Sequence, residues 1–109
     1  MIDFTVSAAP PVVSRAIEAF ATGQGSVTAL VVPWESHGDT WNMAVTSVKT
    51  DGWAIEHTNL GTITLTDLGD GRTRIAAVAG SPDHHDQQRL VALFDRFAEQ
   101  MQRHLERQP

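Results

Sequence analysis

The connections in the middle of this chain constrain its fold most, because they are short. Between residues 26 and 80 the sequence alternates strand-like segments with brief turn sequences, of which Asp51-Gly52 and Gly69-Asp70-Gly71 are the clearest. A crossover between parallel strands needs about a dozen residues or more. The segments joined here therefore have to pair as an antiparallel meander.

The strand boundaries follow from the composition of each segment. We predict strands over 27–34, 41–48 and 72–79, which read VTALVVPW, WNMAVTSV and RTRIAAVA. The segment 53–68 fits either one strand or two, because Asn59-Leu60-Gly61 suits a bulge as well as a turn. A bulged or interrupted strand is favoured, which gives a sheet of about five to six strands.

The N-terminal segment predicts a strand followed by a helix. Apolar and polar residues alternate over 2–7, the period of a half-buried strand. Pro10 and Pro11 suit the first turn of a helix, where a missing N–H group costs nothing. The helix is expected to run to about Thr22, and the glycines at 23 and 25 to end it.

The C-terminal segment predicts a long amphipathic helix over 82–107. At roughly 25 residues and 1.5 Å per residue, its length would be about 37 Å. Burial of its apolar stripe is expected to hold it against the sheet. The chain is thus predicted to be a single α+β domain over 1–109, with one N-terminal helix and a C-terminal helix packed on the sheet. The predicted stripe consists of Leu90, Leu93, Phe94, Phe97, Met101 and Leu105.

Two adjacent histidines, His84 and His85, stand in the sequence GSPDHHD and raise the question of a metal site or a general base. The surrounding residues indicate a helix start instead, with Ser81 as the cap before Pro82 and with acidic residues near the positive end of the helix dipole. Adjacent residues on a helix point about 100° apart, so the two histidines would not share one metal ion. A zinc site would need further ligands, such as His57 or Asp67. We predict no metal and no cofactor.

Composition and charge argue against several classes of binding partner. The formal net charge of −5 and the absence of cysteine argue against a nucleic-acid surface and against disulfides or thiolate chemistry. There is no long apolar run, so no membrane insertion is expected, and a cytoplasmic location is the default.

The aromatic residues give the candidate ligand site. The three tryptophans fall on three successive predicted strands, where they can serve as core packing or as the wall of a pocket facing the last helix. His57 is predicted to share a strand face with Trp53 and Ile55, and His37 to lie in a polar turn. No catalytic residue is assigned. The candidate ligand-binding residues are Trp34, Trp41, Trp53, Ile55, His57, Phe94, Phe97 and Met101.

Three segments together resemble the helix-grip fold of the START-like, polyketide cyclase and lipid-transport superfamily. They are IDFTVSAAPPVVSRAIEAF, GTITLTDLGDGRTRIAAVA and RLVALFDRFAEQMQRHL, and they cover most of the chain. The resemblance implies a sheet wrapped around the final helix, with a ligand cavity between them. Family members carry two helices after the first strand, whereas this chain has room for one. The family has no universal catalytic residue to carry over.

Three kinds of function remain open from the sequence. The first is a non-enzymatic carrier that binds an apolar small molecule between the sheet and the last helix. The second is an enzyme of the cyclase, hydrolase or isomerase kind, in which an inward-facing His57 works with Glu56 or Asp67. The third is an interaction module with a filled core, which forms a homodimer through the open face of the sheet or the first helix.

Overall fold

A computed structural model describes residues 2–25, 27–33, 36–80 and 87–107, and it confirms the α+β class. The predicted antiparallel sheet and the two flanking helices are present, in a helix-grip-like arrangement. The elements in chain order are β1 (Ile2–Val6), α1 (Pro10–Thr22), β2 (Val27–Val31), β3 (Thr40–Asp51), β4 (Ala54–Gly69), β5 (Arg72–Ala79) and α2 (Gln87–Glu106).

The sheet has five strands in the order β1-β5-β4-β3-β2, and every neighbouring pair is antiparallel. Strands β2 to β5 form the predicted meander. The first strand does not pair with the second; it lies at the opposite edge, where Ile2 pairs with Ala77 of β5. Helix α1 therefore carries the chain from one edge of the sheet to the other.

Strand β4 is one continuous strand with a bulge, which settles the alternative left open by its sequence. Val45 pairs with Gly61, whereas the next residue, Thr46, pairs with Asn59, so Leu60 is the extra residue. The Asn59 side-chain oxygen Oδ1 accepts a hydrogen bond from the Gly61 N–H at 3.1 Å. The bulge separates a part of β4 that lies within the sheet from a part that extends beyond it.

Beyond the bulge, β3 and β4 continue as a two-stranded ribbon, residues 48–57, which we call the arm. Pairing of β2 with β3 ends at Ser47, and pairing of β5 with β4 begins at Gly61, so within the described residues the arm strands pair only with each other. The chain measures 46 Å along its longest axis and 27 and 25 Å along the others. The predicted strand end at Val48 was too early, because the hairpin turn at Gly52 lets pairing continue to Asp51.

Both helices contribute to a core on one face of the sheet. The strand residues that point to this face are in register across the sheet: Met43 pairs with Ile63, and Ile63 pairs with Ala77. The opposite face carries mostly small and polar side chains that are partly or fully exposed, together with the exposed apolar side chains of Leu30 and Val78. The buried apolar cluster consists of Val13, Ile17, Ala21, Ala29, Met43, Val45, Leu60, Ile63, Leu65, Ile75, Ala77, Phe94, Phe97, Ala98, Met101 and Leu105.

Helix α2 packs on the sheet as predicted, with one correction to its stripe. Phe94, Phe97, Met101 and Leu105 are buried, but Leu93 is 44% exposed, because it lies to one side of the contact with the sheet. The predicted helix start at Pro82, with the Ser81 cap and the histidines at 84 and 85, lies outside the described residues.

Candidate functional site

Four of the predicted ligand-binding residues lie together in the core. Phe94, Phe97 and Met101 of α2 are at most 5% exposed, and Trp41 is half-buried against the same cluster. The ring of Phe94 lies so close to Gly61 that a Cβ atom placed there would be 2.7 Å from its Cε2. The three α2 side chains therefore occupy the space between α2 and the sheet, and Trp41 borders the same core cluster from β3.

The other predicted residues lie in the arm or outside the described residues. Trp53 is fully exposed in the turn at the tip, and Ile55 is 65% exposed next to it. The backbone of His57 pairs with Val48 in the arm. Trp34 lies outside the described residues. The structure thus separates Trp53 and Ile55 from the α2 residues with which they were expected to share a pocket, because the arm extends past the helices.

The structure does not bring Asp67 near position 57, so it does not form the acid–base pair with His57 that was one of the alternatives from the sequence. Ten residue steps of one continuous strand separate positions 57 and 67, a distance of about 30 Å. The Asp67 carboxylate instead accepts the Gly69 N–H at 2.9 Å and shapes the turn after β4. Asp67 therefore has a structural role in the hairpin and cannot serve a histidine at position 57.

The described residues also bear on metal binding. Within them, no group of three histidine, cysteine, aspartate or glutamate residues is close enough to hold a metal ion. His37 forms an isolated backbone bridge with Thr40, as expected of a residue in a polar turn. The histidines at 84 and 85 are outside the described residues, so their role stays a prediction.

A cleft of about 430 Å³ lies where β1, the start of α1 and the end of α2 meet. It is open to solvent along one side. Val13 and Leu105 at its base are almost fully buried, whereas Val12 at its rim is 58% exposed. We call this feature the β1–α1–α2 cleft. Its lining residues are Thr5, Val6, Ser7, Ala8, Val12, Val13, Ala16, Leu105 and Glu106.

The cleft owes its shape to the segment between β1 and α1. Ser7, Ala8 and Ala9 are small, and the prolines that follow start the helix immediately. The buried hydroxyl of Thr73 on β5 donates a hydrogen bond to the Ala8 carbonyl at 2.7 Å, which fixes this segment to the sheet. Sequence analysis missed Thr73, since nothing marks it out among the strand threonines. The run of small residues before Pro10 was the signal available for the cleft.

The polar groups of the cleft are unevenly distributed. Its walls are mostly aliphatic, and the hydroxyl-bearing Thr5 and Ser7 and the carboxylate-bearing Glu106 lie among them. The Glu106 carboxylate forms no ion pair with any other residue that the structure describes. Such a surface can hold an apolar molecule and contact one or two polar atoms of it.

Comparison of the chain with protein-family models, with curated proteins and with solved structures found no match. None of the helices in the described ranges is at once long enough and apolar enough to cross a membrane.

Proposed function

We propose that this chain is a small, non-enzymatic ligand-binding domain, and that the β1–α1–α2 cleft holds a compact apolar molecule. The observation that carries the proposal is the cleft volume of about 430 Å³, which falls in the range of small-molecule sites. Aliphatic side chains from all three elements converge there. A ligand would gain mainly from the removal of its apolar surface from water.

The location differs from the one inferred from the helix-grip resemblance, which is a cavity between the sheet and the middle of the last helix. In that region Phe94 lies against Gly61, and Met101 is fully buried. The cleft lies at the end of the same sheet–helix interface, where Leu105 replaces the aromatic residues. The resemblance therefore supports the class of function, and the packing supports a site moved towards β1.

The chemistry of the lining favours binding over turnover. The nine described residues that line the cleft include two hydroxyls and one carboxylate, and none of them is a histidine, lysine or cysteine. The one carboxylate of the lining, that of Glu106, forms no hydrogen bond with the exposed hydroxyl of Thr5 or Ser7, so neither hydroxyl is paired with a base among the described residues. Nucleophilic catalysis requires a base within hydrogen-bond reach of the nucleophile.

The test is an NMR titration with an uncharged probe, 1-naphthylmethanol. We expect saturable binding at one probe per chain, with amide shifts centred on residues 5–8, 12–16 and 105–106. Ala16→Phe would fill the cleft and weaken binding, whereas Ala19→Phe, on the exposed side of α1, serves as the matched control. Val12→Trp, at the exposed rim, provides a second blocking variant if Ala16→Phe is unstable. Shifts centred on the arm, or the absence of saturable binding, would refute the proposal.

A second candidate function is a homodimeric interaction module, and the tip of the arm favours it. Trp53 and Ile55 expose a large apolar surface there, and tryptophan is enriched at the centres of protein interfaces. Sedimentation equilibrium tests this candidate. A dimer that Trp53→Ser converts to monomer would support it, and a monomer at all concentrations would exclude it.

A further inference from the structure

We propose that the β1–α1–α2 cleft selects cationic ligands, so that its natural ligand is an apolar amine rather than an apolar acid. This inference rests on the proposed function and names the chemical class of ligand. Three features of the cleft support it: the one charged side chain in its lining, the hydrogen-bond state of the α1 N-terminus, and the polarity of the α2 C-terminus.

The first feature is the charge of the lining. Of the nine described residues that line the cleft, Glu106 is the only charged one. No other described residue pairs with its carboxylate, so the carboxylate is available to a ligand. Arg74 of β5 pairs with Thr5 in the sheet but gives its guanidinium to Asp3, through Nε to Oδ1 at 2.9 Å and Nη2 to Oδ2, and neither Arg74 nor Arg72 is among the lining residues. A ligand ammonium group would therefore meet an unneutralised anion.

The second feature concerns anions, which often bind at the N-terminus of a helix through free backbone N–H groups. Helix α1 offers no such group to the cleft. Its first two residues, Pro10 and Pro11, have no N–H, and the next two, Val12 and Val13, both donate to the Ala9 carbonyl at 3.0 Å. None of these four positions therefore has a free N–H group for a carboxylate.

The third feature is the end of α2. The last four carbonyls of a helix lack intrahelical partners and form the negative end of its dipole. Glu106 is the last residue of α2. The basic residues of this turn are not part of the cleft lining: Arg103 is exposed, and the His104 ring packs on Phe20 with ring centroids 5.1 Å apart. A cation in the cleft would contact the Glu106 carboxylate at this negative end of the helix, where the Arg103 carbonyl already accepts the Arg107 N–H at 3.2 Å.

The experiment compares three probes of one shape at pH 7 and low salt: 1-naphthylmethylamine, 1-naphthylmethanol and 1-naphthoate. We expect the amine to bind about two- to fivefold more tightly than the alcohol, as for a partly exposed ion pair, and the carboxylate to bind more weakly than the alcohol. The preference for the amine should shrink as salt is added. Every protein in this experiment also carries Trp53→Ser, which removes probe binding at the tip of the arm.

Glu106→Gln is the decisive variant. It should remove most of the preference for the amine over the alcohol, because the carboxylate is the only charge in the described lining. Glu99→Gln, an exposed residue of the same helix outside the cleft lining, is the matched control and should leave the amine preference intact. Equal binding of all three probes, or tightest binding of the carboxylate, would overturn the inference while the proposed function stands. Failure of all three probes to bind would overturn the proposed function.

Discussion

Strands β3 and β4 run through both the arm and the five-stranded part of the sheet, which we call the body, but the helices cover only the body. In the body, Met43 and Val45 of β3 and Ile63 and Leu65 of β4 are fully buried beneath the helices. In the arm, Trp53 and Ile55 are exposed on a ribbon with no third strand. Two-stranded ribbons are at best marginally stable by themselves. Apolar residues in a strand pattern therefore indicate a strand, and they do not show what lies above it.

This contrast predicts that side chains of the body contribute most of the free energy of unfolding. The substitution with the largest expected effect is Phe94→Ala. Phe94 is 1% exposed and lies against Gly61, so its loss would leave a cavity between α2 and the sheet. We expect the free energy of unfolding in urea to fall by about 3–5 kcal/mol.

Trp53→Ala is the control from the arm. It removes a larger aromatic side chain but should change the free energy of unfolding by no more than about 0.5 kcal/mol, because Trp53 is fully exposed. Equal losses for the two variants would mean that the arm is packed against something in solution, and the contrast between arm and body would then fail.

Gly61→Ala tests the closest approach of helix and sheet. The added Cβ would lie 2.6 Å from the Val78 carbonyl oxygen and 2.7 Å from Phe94 Cε2, so both the strand and the helix would have to shift. We expect a loss of about 1–3 kcal/mol, measured by urea unfolding. Gly80→Ala, with no neighbouring atom within 4 Å of its Cβ, should be close to neutral. A neutral result at position 61 would contradict the close approach of Phe94 and the Val78 carbonyl to this glycine.

Thr73→Val tests the hydrogen bond that fixes the segment before α1 to the edge of the sheet, next to the cleft. The variant keeps the shape of the buried side chain but removes its hydrogen bond to the Ala8 carbonyl. We expect a loss of about 1–2 kcal/mol in thermal or urea unfolding, with NMR shifts at residues 7–9. Thr62→Val, on the exposed face, is the matched control. An equal effect of the two variants would argue against an anchoring role for Thr73.

The smallest expected effect belongs to the exposed ion pair between Asp3 and Arg74. The hydrogen bond from Arg74 holds the pKa of Asp3 below its usual value of 3.8. A lowered folded-state pKa means that the pair stabilises the protein above the unfolded-state pKa and ceases to do so as the pH falls through the folded-state pKa. Asp3→Asn should therefore lower the melting temperature slightly at pH 7 and not in strong acid. A difference between the two proteins that persists in strong acid, or is unaffected by salt, would contradict this assignment.

The fold was accessible from the sequence because its signals are local. Alternation in β1, the prolines at the start of α1, the turns after β3 and β4 and the stripe of α2 each lie within a few residues. The bulge at Leu60 was also among the alternatives that the sequence offered. What the sequence could not supply was the length of β3 and β4 relative to their neighbours, and that difference in length creates the arm.

The candidate site was less accessible because it depends on distant parts of the chain. Trp41 and Trp53 look alike in sequence, yet one borders the core and the other is at the tip of the arm. The cleft joins Thr5 to Glu106 from opposite ends of the chain, and its residues are individually ordinary. Neither periodicity nor a motif marks such a site, since it arises only when β1 and α2 meet.

The position of β1 at the far edge of the sheet also has a consequence for synthesis on the ribosome. Strands β2 to β5 are neighbours in sequence and can pair as they emerge, whereas Ile2 must wait for Ala77 before it has a partner. Contacts between such distant positions close slowly, because the intervening chain has to be ordered first. Strand β1 is thus made before the other four strands but gains its partner only after β5, and the cleft is completed only when translation has passed the end of α2.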